Sequence, residues 1–203
     1  SILGKRMINW LTTLTAAGTL FEIDTRLRPN GAAGFLVTSL DSFRRYQLRE
    51  GDNTAWVWEH QAISRARFAA GNPTVGKRFE EIRNEVLSQE RKMTELQHEI
   101  IDMRHKVHAG HLNHSSEFDL KHDPGGMVDI EFMVQFAVLA WAHSHPELAR
   151  WSDNVRILEV LGKEGLFSSD EAQDLTQAYL DYRGAAHQLA LQQEPIEVST
   201  AQF

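Results

Sequence analysis

The stretch FEIDTRLRPNGAAGFLV, residues 21–37, predicts a β-hairpin with one charged face. In a strand, side chains two residues apart point to the same face. A strand over residues 19–28 then has one apolar face, and its second face is charged. The side chains on the charged face are Glu22, Asp24, Arg26 and Arg28. Pro29 ends this strand, the following glycines permit a turn, and residues 35–40 supply an apolar partner strand.

The charged face has the chemistry of a magnesium–nucleotide site. Carboxylates are hard oxygen ligands, and Mg²⁺ takes one or two of them together with phosphate oxygens. Arginines just beyond the acids could hold phosphate through forked hydrogen bonds. The alternative is a solvated strand face whose ion pairs contribute little to stability.

The rest of the sequence has the apolar spacing of helices. Helices are predicted over residues 5–16, 42–50, 56–71, 73–88, 91–109, 127–143, 153–164 and 169–193. Helix starts are predicted at Ser39 or Asp41, at Asn72, at Asp153 and at the sequence SSDE. We therefore predict an α+β, mostly helical fold, with an α/β unit over residues 1–71 and a helical bundle over residues 72–203.

A second motif, KHDPGGMVDIEF, begins at Lys121 and opens a helix. Its turn contains Gly125 and Gly126, and exposed amides at a helix N-terminus attract anions, so the turn and its lysine could hold a phosphate. Asp129 and Glu131 resemble a metal-binding pair, but residues two apart on a helix point about 200° apart. Both could bind one metal only in an irregular first turn. The alternative is that one acid stabilises the helix N-terminus and the other pairs with an arginine.

Composition limits the class of protein. The chain of 203 residues has a net charge of -7 and no cysteine. An acidic protein is not expected to wrap nucleic acid by neutralising phosphates. No apolar run is long enough to cross a bilayer, and the absence of cysteine fits a reducing compartment. We expect a cytoplasmic protein that binds neither nucleic acid nor membrane.

Four segments together resemble the glutamine synthetase adenylyltransferase family, in the same order and at similar spacing. They are EIDTRLRPNGAAGFLVTS, WVWEHQAISRAR, DPGGMVDIEFMVQF and RWSDNVRILE, and the resemblance covers roughly residues 5–195. Enzymes of this family have two similar halves, one adding AMP and one removing it, and the chain resembles the C-terminal, adenylylating half. The resemblance implies a nucleotidyltransferase unit of the DNA polymerase β type followed by a helical domain.

The resemblance also implies roles for the charged residues. Asp24 stands where the family has a catalytic, Mg²⁺-binding carboxylate, and Glu22 shares its face. Arg26, Arg28 and Lys121 become candidate triphosphate contacts. The other two metal carboxylates are expected upstream of this chain, so we expect a fragment that is inactive alone.

The implied reaction transfers AMP from ATP to a tyrosine of glutamine synthetase, with glutamine synthetase and a PII signalling protein as partners. Glu59 could reach the metal cleft or could pair with Arg65 or Arg67. Trp56 and Trp58 could stack on adenine or could serve packing. The alternative function is a non-catalytic helical module that docks glutamine synthetase or a PII protein.

Overall fold

The fold is a mostly helical assembly, taken from a computed structural model that describes residues 2–16, 18–19, 21 and 23–199, with only the backbone of residue 19. The helices are α1 (Ile2–Thr12), α2 (Leu40–Gln47), α3 (Val57–Ser64), α4 (Pro73–Leu87), α5 (Met93–Ala109), α6 (Met127–Trp141), α7 (Glu147–Arg150), α8 (Asn154–Lys163) and α9 (Ser169–Gln192). The strands are β1 (Leu14–Thr15), β2 (Gly18–Thr19), β3 (Phe118–Asp119) and β4 (Glu197–Val198). A mostly helical α+β class is therefore confirmed.

Helix α6 forms the centre of the bundle because it is apolar around most of its circumference. Val134, Val138 and Leu139 on this helix are fully buried. Helices α3, α5, α8 and α9 pack around it, and α9 also packs along α8. Burial of this apolar surface is the main term that favours the folded bundle.

Side-chain caps fix the helix starts as predicted. Ser39 and Asn72 accept hydrogen bonds from amides in the first turns of α2 and α4. Asp153 does the same for α8. Ser168 and Glu171 form a reciprocal capping box at α9, which satisfies two amides that have no partner within the helix.

The end of α3 differs from its prediction. The helix was expected to continue to Gly71, but it ends at Ser64. The buried guanidinium of Arg83 donates to the carbonyls of Ile63 and Ser64, the last two residues of the helix. Phe68, inside the predicted helix, instead donates its amide to a glutamate of α4. These long-range bonds end the helix earlier than its apolar spacing indicates.

The predicted hairpin of residues 19–28 with residues 35–40 is wrong. Among the described residues of these segments, strand is confined to β2, which pairs with β1. The side chain of Arg28 donates to the carbonyl of Thr25, which lies in the first predicted strand, and to the carbonyls of Ala32 and Gly34 in the turn. A two-stranded ribbon is marginal in water by itself, so these side-chain bonds outweigh the ladder.

The C-terminal segment is attached to the bundle by a strand pair that periodicity does not predict. Phe118 pairs with Val198, and Asp119 pairs with Glu197, in antiparallel register. Each strand is only two residues long, which is too short to produce an alternating pattern in the sequence. The short helix α7 was missed for the same reason.

The predicted division at residues 71 and 72 stays a prediction. Val57 and Ile63, on the N-terminal side of that boundary, belong to the same apolar core as Val134 and Leu158. Helix α3 packs against α4, α5 and α6 across it. Within the described ranges, no helix has the length and apolarity needed to span a membrane.

Candidate functional site

Asp24 lies in an irregular, exposed segment next to Arg26. Its carboxylate accepts hydrogen bonds from Arg26 Nη2 at 2.8 Å and from the Arg26 amide at 2.7 Å. The side chains are 47% and 79% exposed. The hydrogen bonds from the Arg26 side chain and amide lower the pKa of Asp24 to about 2. The structure thus brings together two of the predicted site residues, while Glu22 lies outside the described residues.

Arg28 lies at the centre of the loop that follows. Its Nε donates to the carbonyl of Gly34 at 3.2 Å, and its Nη2 donates to that of Ala32 at 3.2 Å. Nη1 donates to the carbonyl of Thr25. A Cβ at position 34 would lie 1.8 Å from the Pro29 carbonyl oxygen, so the loop closes only around a glycine. The predicted phosphate contact is therefore engaged in shaping the loop.

A buried chain of hydrogen bonds fixes this loop to α2 and α3. The amide of Asn30 donates to the Tyr46 hydroxyl at 3.1 Å. That hydroxyl donates to the buried carboxylate of Glu59, which lies 2.8 and 2.9 Å away. Glu59, in the first turn of α3, also accepts a hydrogen bond from the amide of the N-cap residue Trp56 at 2.9 Å. Burial raises the pKa of Tyr46, and the nearby Glu59 raises it further.

Glu59 therefore binds Tyr46 and Trp56 in the structure, whereas Arg65 and Arg67 were the partners suggested by the sequence. The tyrosine was not singled out from the sequence, although its helix places it on the buried side of α2. A carboxylate with both oxygens engaged can support the loop without contacting a substrate. Its predicted contribution to a metal site stays a prediction.

His60 and Arg91 form a second buried polar contact behind α3. The His60 Nε2 lies 2.9 Å from the Gln47 carbonyl, and its Nδ1 lies 3.0 Å from an Arg91 guanidinium nitrogen. An arginine can only donate, so Nδ1 accepts and Nε2 carries the proton. Burial, reinforced by the charge of Arg91, lowers the pKa of His60 to about 3, which keeps the ring neutral.

The second motif places its two acids on different partners. Asp129 binds the guanidinium of Arg104 and accepts from the Gly125 amide at 2.6 Å. Glu131 accepts from the Tyr179 hydroxyl of α9 at 3.0 Å. This separation follows from the helical angle between residues two apart. Among the described residues, no group of three or more His, Asp or Glu side chains is placed to hold a metal ion.

The backbone amides of the glycine turn are also engaged. The Gly126 amide donates to the Asp123 carbonyl, and the Met127 amide donates to the Leu120 carbonyl, both at 2.9 Å. Gly126 also has no room for a side chain, because a Cβ would lie 2.9 Å from the Leu120 carbonyl oxygen. Lys121 is exposed beside this turn. The glycines thus serve the shape of the turn, and phosphate binding there stays a prediction.

A cavity of about 310 Å³ lies beside the loop that follows Asp24. The loop residues that line it are Leu27, Arg28 and Pro29. The lining residues from helices α2, α3 and α4 and the segment after α3 are Phe43, Gln47, Trp58, Glu59, Ala62, Ile63, Arg65, Ala66 and Phe79. Gln47 was not singled out from the sequence, yet a signal was present. It occupies the position i+7 of an apolar stripe that begins with Leu40 and Phe43, where a polar residue is unexpected.

Two family models match successive stretches of the chain. Residues 1–82 match the family model described as glutamate-ammonia ligase adenylyltransferase, and residues 80–196 match the model described as GlnD PII-uridylyltransferase. A relative from Burkholderia pseudomallei is 57% identical over 92% of this chain. It is named bifunctional glutamine synthetase adenylyltransferase/adenylyl-removing enzyme. The chain belongs to the glutamine synthetase adenylyltransferase family.

Other adenylyltransferase relatives extend this similarity to nearly the whole chain. Proteins with the same name from Pseudomonas aeruginosa and Hahella chejuensis are 50% and 48% identical, over 99% and 98% of this chain. The resemblance found from the four motifs is therefore confirmed. The chain spans about 20% of the length of the Burkholderia relative.

Proposed function

We propose that this chain forms part of the site at which a glutamine synthetase adenylyltransferase transfers AMP from ATP to a tyrosine of glutamine synthetase. The proposal rests on the similarity to enzymes of that name over 92% of the chain at 57% identity. It includes a partial nucleotidyltransferase unit over residues 1–71, a helical domain over residues 72–203 and a cytoplasmic location. A PII signalling protein is proposed as a further partner.

Asp24 and Arg26 are the residues of this segment that we propose to contact the metal and the phosphates. Their contact is an exposed ion pair, and such pairs contribute little, so the two side chains can exchange partners at small cost. Asp24 would hold Mg²⁺ through a carboxylate oxygen, and the metal would neutralise charge on the phosphates when bound. Arg26 would then donate its forked hydrogen bonds to phosphate oxygens. One carboxylate with phosphate oxygens fits the coordination that Mg²⁺ commonly uses.

The other candidates take supporting roles in this proposal. Arg28 and Glu59 hold the loop that follows Asp24 in place, as their hydrogen bonds indicate. Lys121 remains a candidate phosphate contact because its side chain is exposed. Asp129 and Glu131 connect α6 to its neighbours through Arg104 and Tyr179, and Glu22 remains a candidate second carboxylate.

The test is Asp24→Asn in the intact parent protein. We expect transfer of labelled AMP to purified glutamine synthetase to fall by about 100-fold or more, because an amide is a weaker metal ligand than a carboxylate and carries no charge. Asp41→Asn, which changes an exposed carboxylate on the first turn of α2, is the matched control and should retain full transfer. The adenylyl-removing activity should persist in both variants. Undiminished AMP transfer by Asp24→Asn would refute the assignment.

A docking role is the second candidate function, favoured by apolar side chains exposed near the N-terminus. Trp10 of α1, Leu14 of β1 and Phe35 of the loop are all largely exposed. A module that only docks glutamine synthetase needs no carboxylate at position 24. In that case the parent protein would transfer AMP normally as Asp24→Asn and would bind glutamine synthetase more weakly as Trp10→Ser.

A further inference from the structure

The cavity beside the loop contains a buried polar group without a partner. Gln47 lines the cavity and is 4% exposed, and its Oε1 has no hydrogen-bond partner in the part of the chain that the structure describes. Burying an acceptor without a donor is unfavourable, so a donor from a ligand or from water is expected at this position. Gln47 thus places an amide with an unpaired acceptor beside a largely apolar cavity.

Three aromatic side chains line the cavity, which suits a flat ligand. Phe43, Trp58 and Phe79 contribute aromatic rings, and the centroids of the two phenylalanine rings are 5.8 Å apart. Aromatic side chains bind planar heterocycles by stacking. A volume of about 310 Å³ lies at the lower end of the range for small-molecule sites and suits one ring system.

We propose that this cavity binds the adenine ring of the nucleotide, with Gln47 Oε1 accepting a hydrogen bond from the exocyclic amine. The inference rests on the proposed function for its choice of ligand, and it names the part of the chain that selects the base. Trp58 is the aromatic wall on α3, whereas Trp56 is exposed and lines a different surface.

The position of the cavity along the chain agrees with this assignment. Leu27 lines the cavity and follows Asp24 by three residues, a separation of at most about 11 Å in extended chain. Arg28, which also lines it, fixes the loop between the two. A nucleotide with its base in the cavity would therefore direct its phosphates toward the segment that carries Asp24 and Arg26.

Binding of adenosine to the intact parent protein tests the cavity by itself. Adenosine has no phosphate, so its affinity does not depend on the proposed metal and phosphate contacts. Calorimetry should detect binding to the wild type and an affinity about 5- to 10-fold weaker for Gln47→Met, as expected for the loss of one hydrogen bond. Methionine keeps the length of the side chain, and the backbone carbonyl that His60 contacts is retained.

Two further variants control this measurement. Gln177→Met removes a glutamine amide from an exposed position on α9 and should leave adenosine affinity unchanged. Ala62→Leu adds volume inside the cavity and should abolish adenosine binding, which tests the site if Gln47→Met does not fold. Wild-type affinity in either Gln47→Met or Ala62→Leu would overturn the inference.

Base selectivity tests the specific hydrogen bond. Purine riboside triphosphate lacks the exocyclic amine of ATP but retains the ring and the phosphates. The wild type should prefer ATP by about 5- to 10-fold in kcat/KM, and Gln47→Met should show almost no preference. Equal loss of preference in Gln177→Met, or an unchanged preference in Gln47→Met, contradicts the assignment.

The outcomes separate this inference from the proposed function. If AMP transfer requires Asp24 but adenosine binding ignores Gln47, the inference is wrong and the proposed function stands. If adenosine binds through Gln47 but the protein transfers no AMP to glutamine synthetase, the proposed function is wrong and the cavity remains a nucleoside site.

Discussion

Arg83 is the residue whose replacement is expected to damage the bundle most. It is 2% exposed and donates to four backbone carbonyls. Two of these carbonyls belong to Ile63 and Ser64 at the end of α3, and the other two to Ala149 and Trp151 around the end of α7. Both helix ends direct the negative side of their dipoles toward the guanidinium. Its positive charge is thus balanced by carbonyls, and burial lowers its pKa.

The expected effect of Arg83→Met follows from these contacts. Methionine fills much of the volume but removes all four hydrogen bonds, and water reaches this buried position poorly. Of the four carbonyls, that of Ile63 keeps a donor, the Ala66 amide at 3.1 Å. Removing one partner from a buried charged network typically costs about 3–5 kcal/mol. That is a large part of the roughly 5–15 kcal/mol that stabilises a typical domain. Arg83→Lys keeps the charge but not the planar fork, so it should lose about half as much.

Urea unfolding followed by circular dichroism measures this loss. Arg78→Met, on the same helix, removes an exposed ion pair with Glu81 at 3.0 Å and should change the free energy of unfolding by less than about 1 kcal/mol. If Arg83→Met is destabilised by no more than this control, the guanidinium does not join α3, α4 and α7. The urea concentration at the midpoint of unfolding should be highest for the wild type, lower for Arg83→Lys and lowest for Arg83→Met.

Three other outcomes follow from the space or the burial at single positions. Gly76→Ala should destabilise by about 1–3 kcal/mol in thermal or urea unfolding, because a Cβ would lie 2.6 Å from the Phe68 ring. Gly184→Ala, with open space at its Cβ, should instead stabilise α9 by up to about 1 kcal/mol, and a loss there would contradict the reasoning. His60 has a pKa of about 3 when folded and an ordinary value of 6.5, so the unfolded state binds the extra proton between these values. Stability should therefore fall by about 2 kcal/mol more between pH 7 and pH 5 in the wild type than in His60→Gln, and equal pH slopes would refute this.

The helices could be predicted because their information is local. The apolar stripe of α6 and the caps at Asn72, Asp153 and Ser168 act within a few residues of each helix start. The predicted bounds of α4, α5 and α8 accordingly differ from the observed ones by at most about two residues, which is the usual variation at helix ends. Local patterns are reliable where the partners of a residue lie on the same turn.

Two of the errors arise where the backbone of one segment bonds to a distant part of the chain. Arg83 lies 19 residues after Ser64, yet its hydrogen bond contributes to the end of α3. The pairing of β3 with β4 joins positions about 80 residues apart in the sequence. No periodicity within either segment contains that information. Such contacts depend on the tertiary arrangement, which the pattern of one segment does not specify.

The candidate site was predictable only where its residues are close neighbours in the sequence. Asp24 and Arg26 were placed on one side by their spacing, and the structure joins them directly. The supports of the site were missed because they come from other elements. Tyr46 on α2 and Glu59 on α3 are joined by a hydrogen bond. Gln47 becomes notable only once the other residues that line the cavity are known. The spacing of residues shows which side chains are neighbours on one segment, whereas a cavity is formed by side chains from several segments.

Arg26 and Arg28 can be ranked as phosphate contacts by the hydrogen bonds that each would lose on binding a phosphate. Arg28 donates to three carbonyls that close the loop, and its release would leave those carbonyls and the turn around Gly34 without support. Arg26 donates to an exposed carboxylate that would itself be taken by a cation. Moving Arg26 therefore replaces one charged contact with another, while moving Arg28 dismantles the loop. Arg26→Lys should accordingly raise the KM for ATP without changing the melting temperature, and Arg28→Lys should lower the melting temperature.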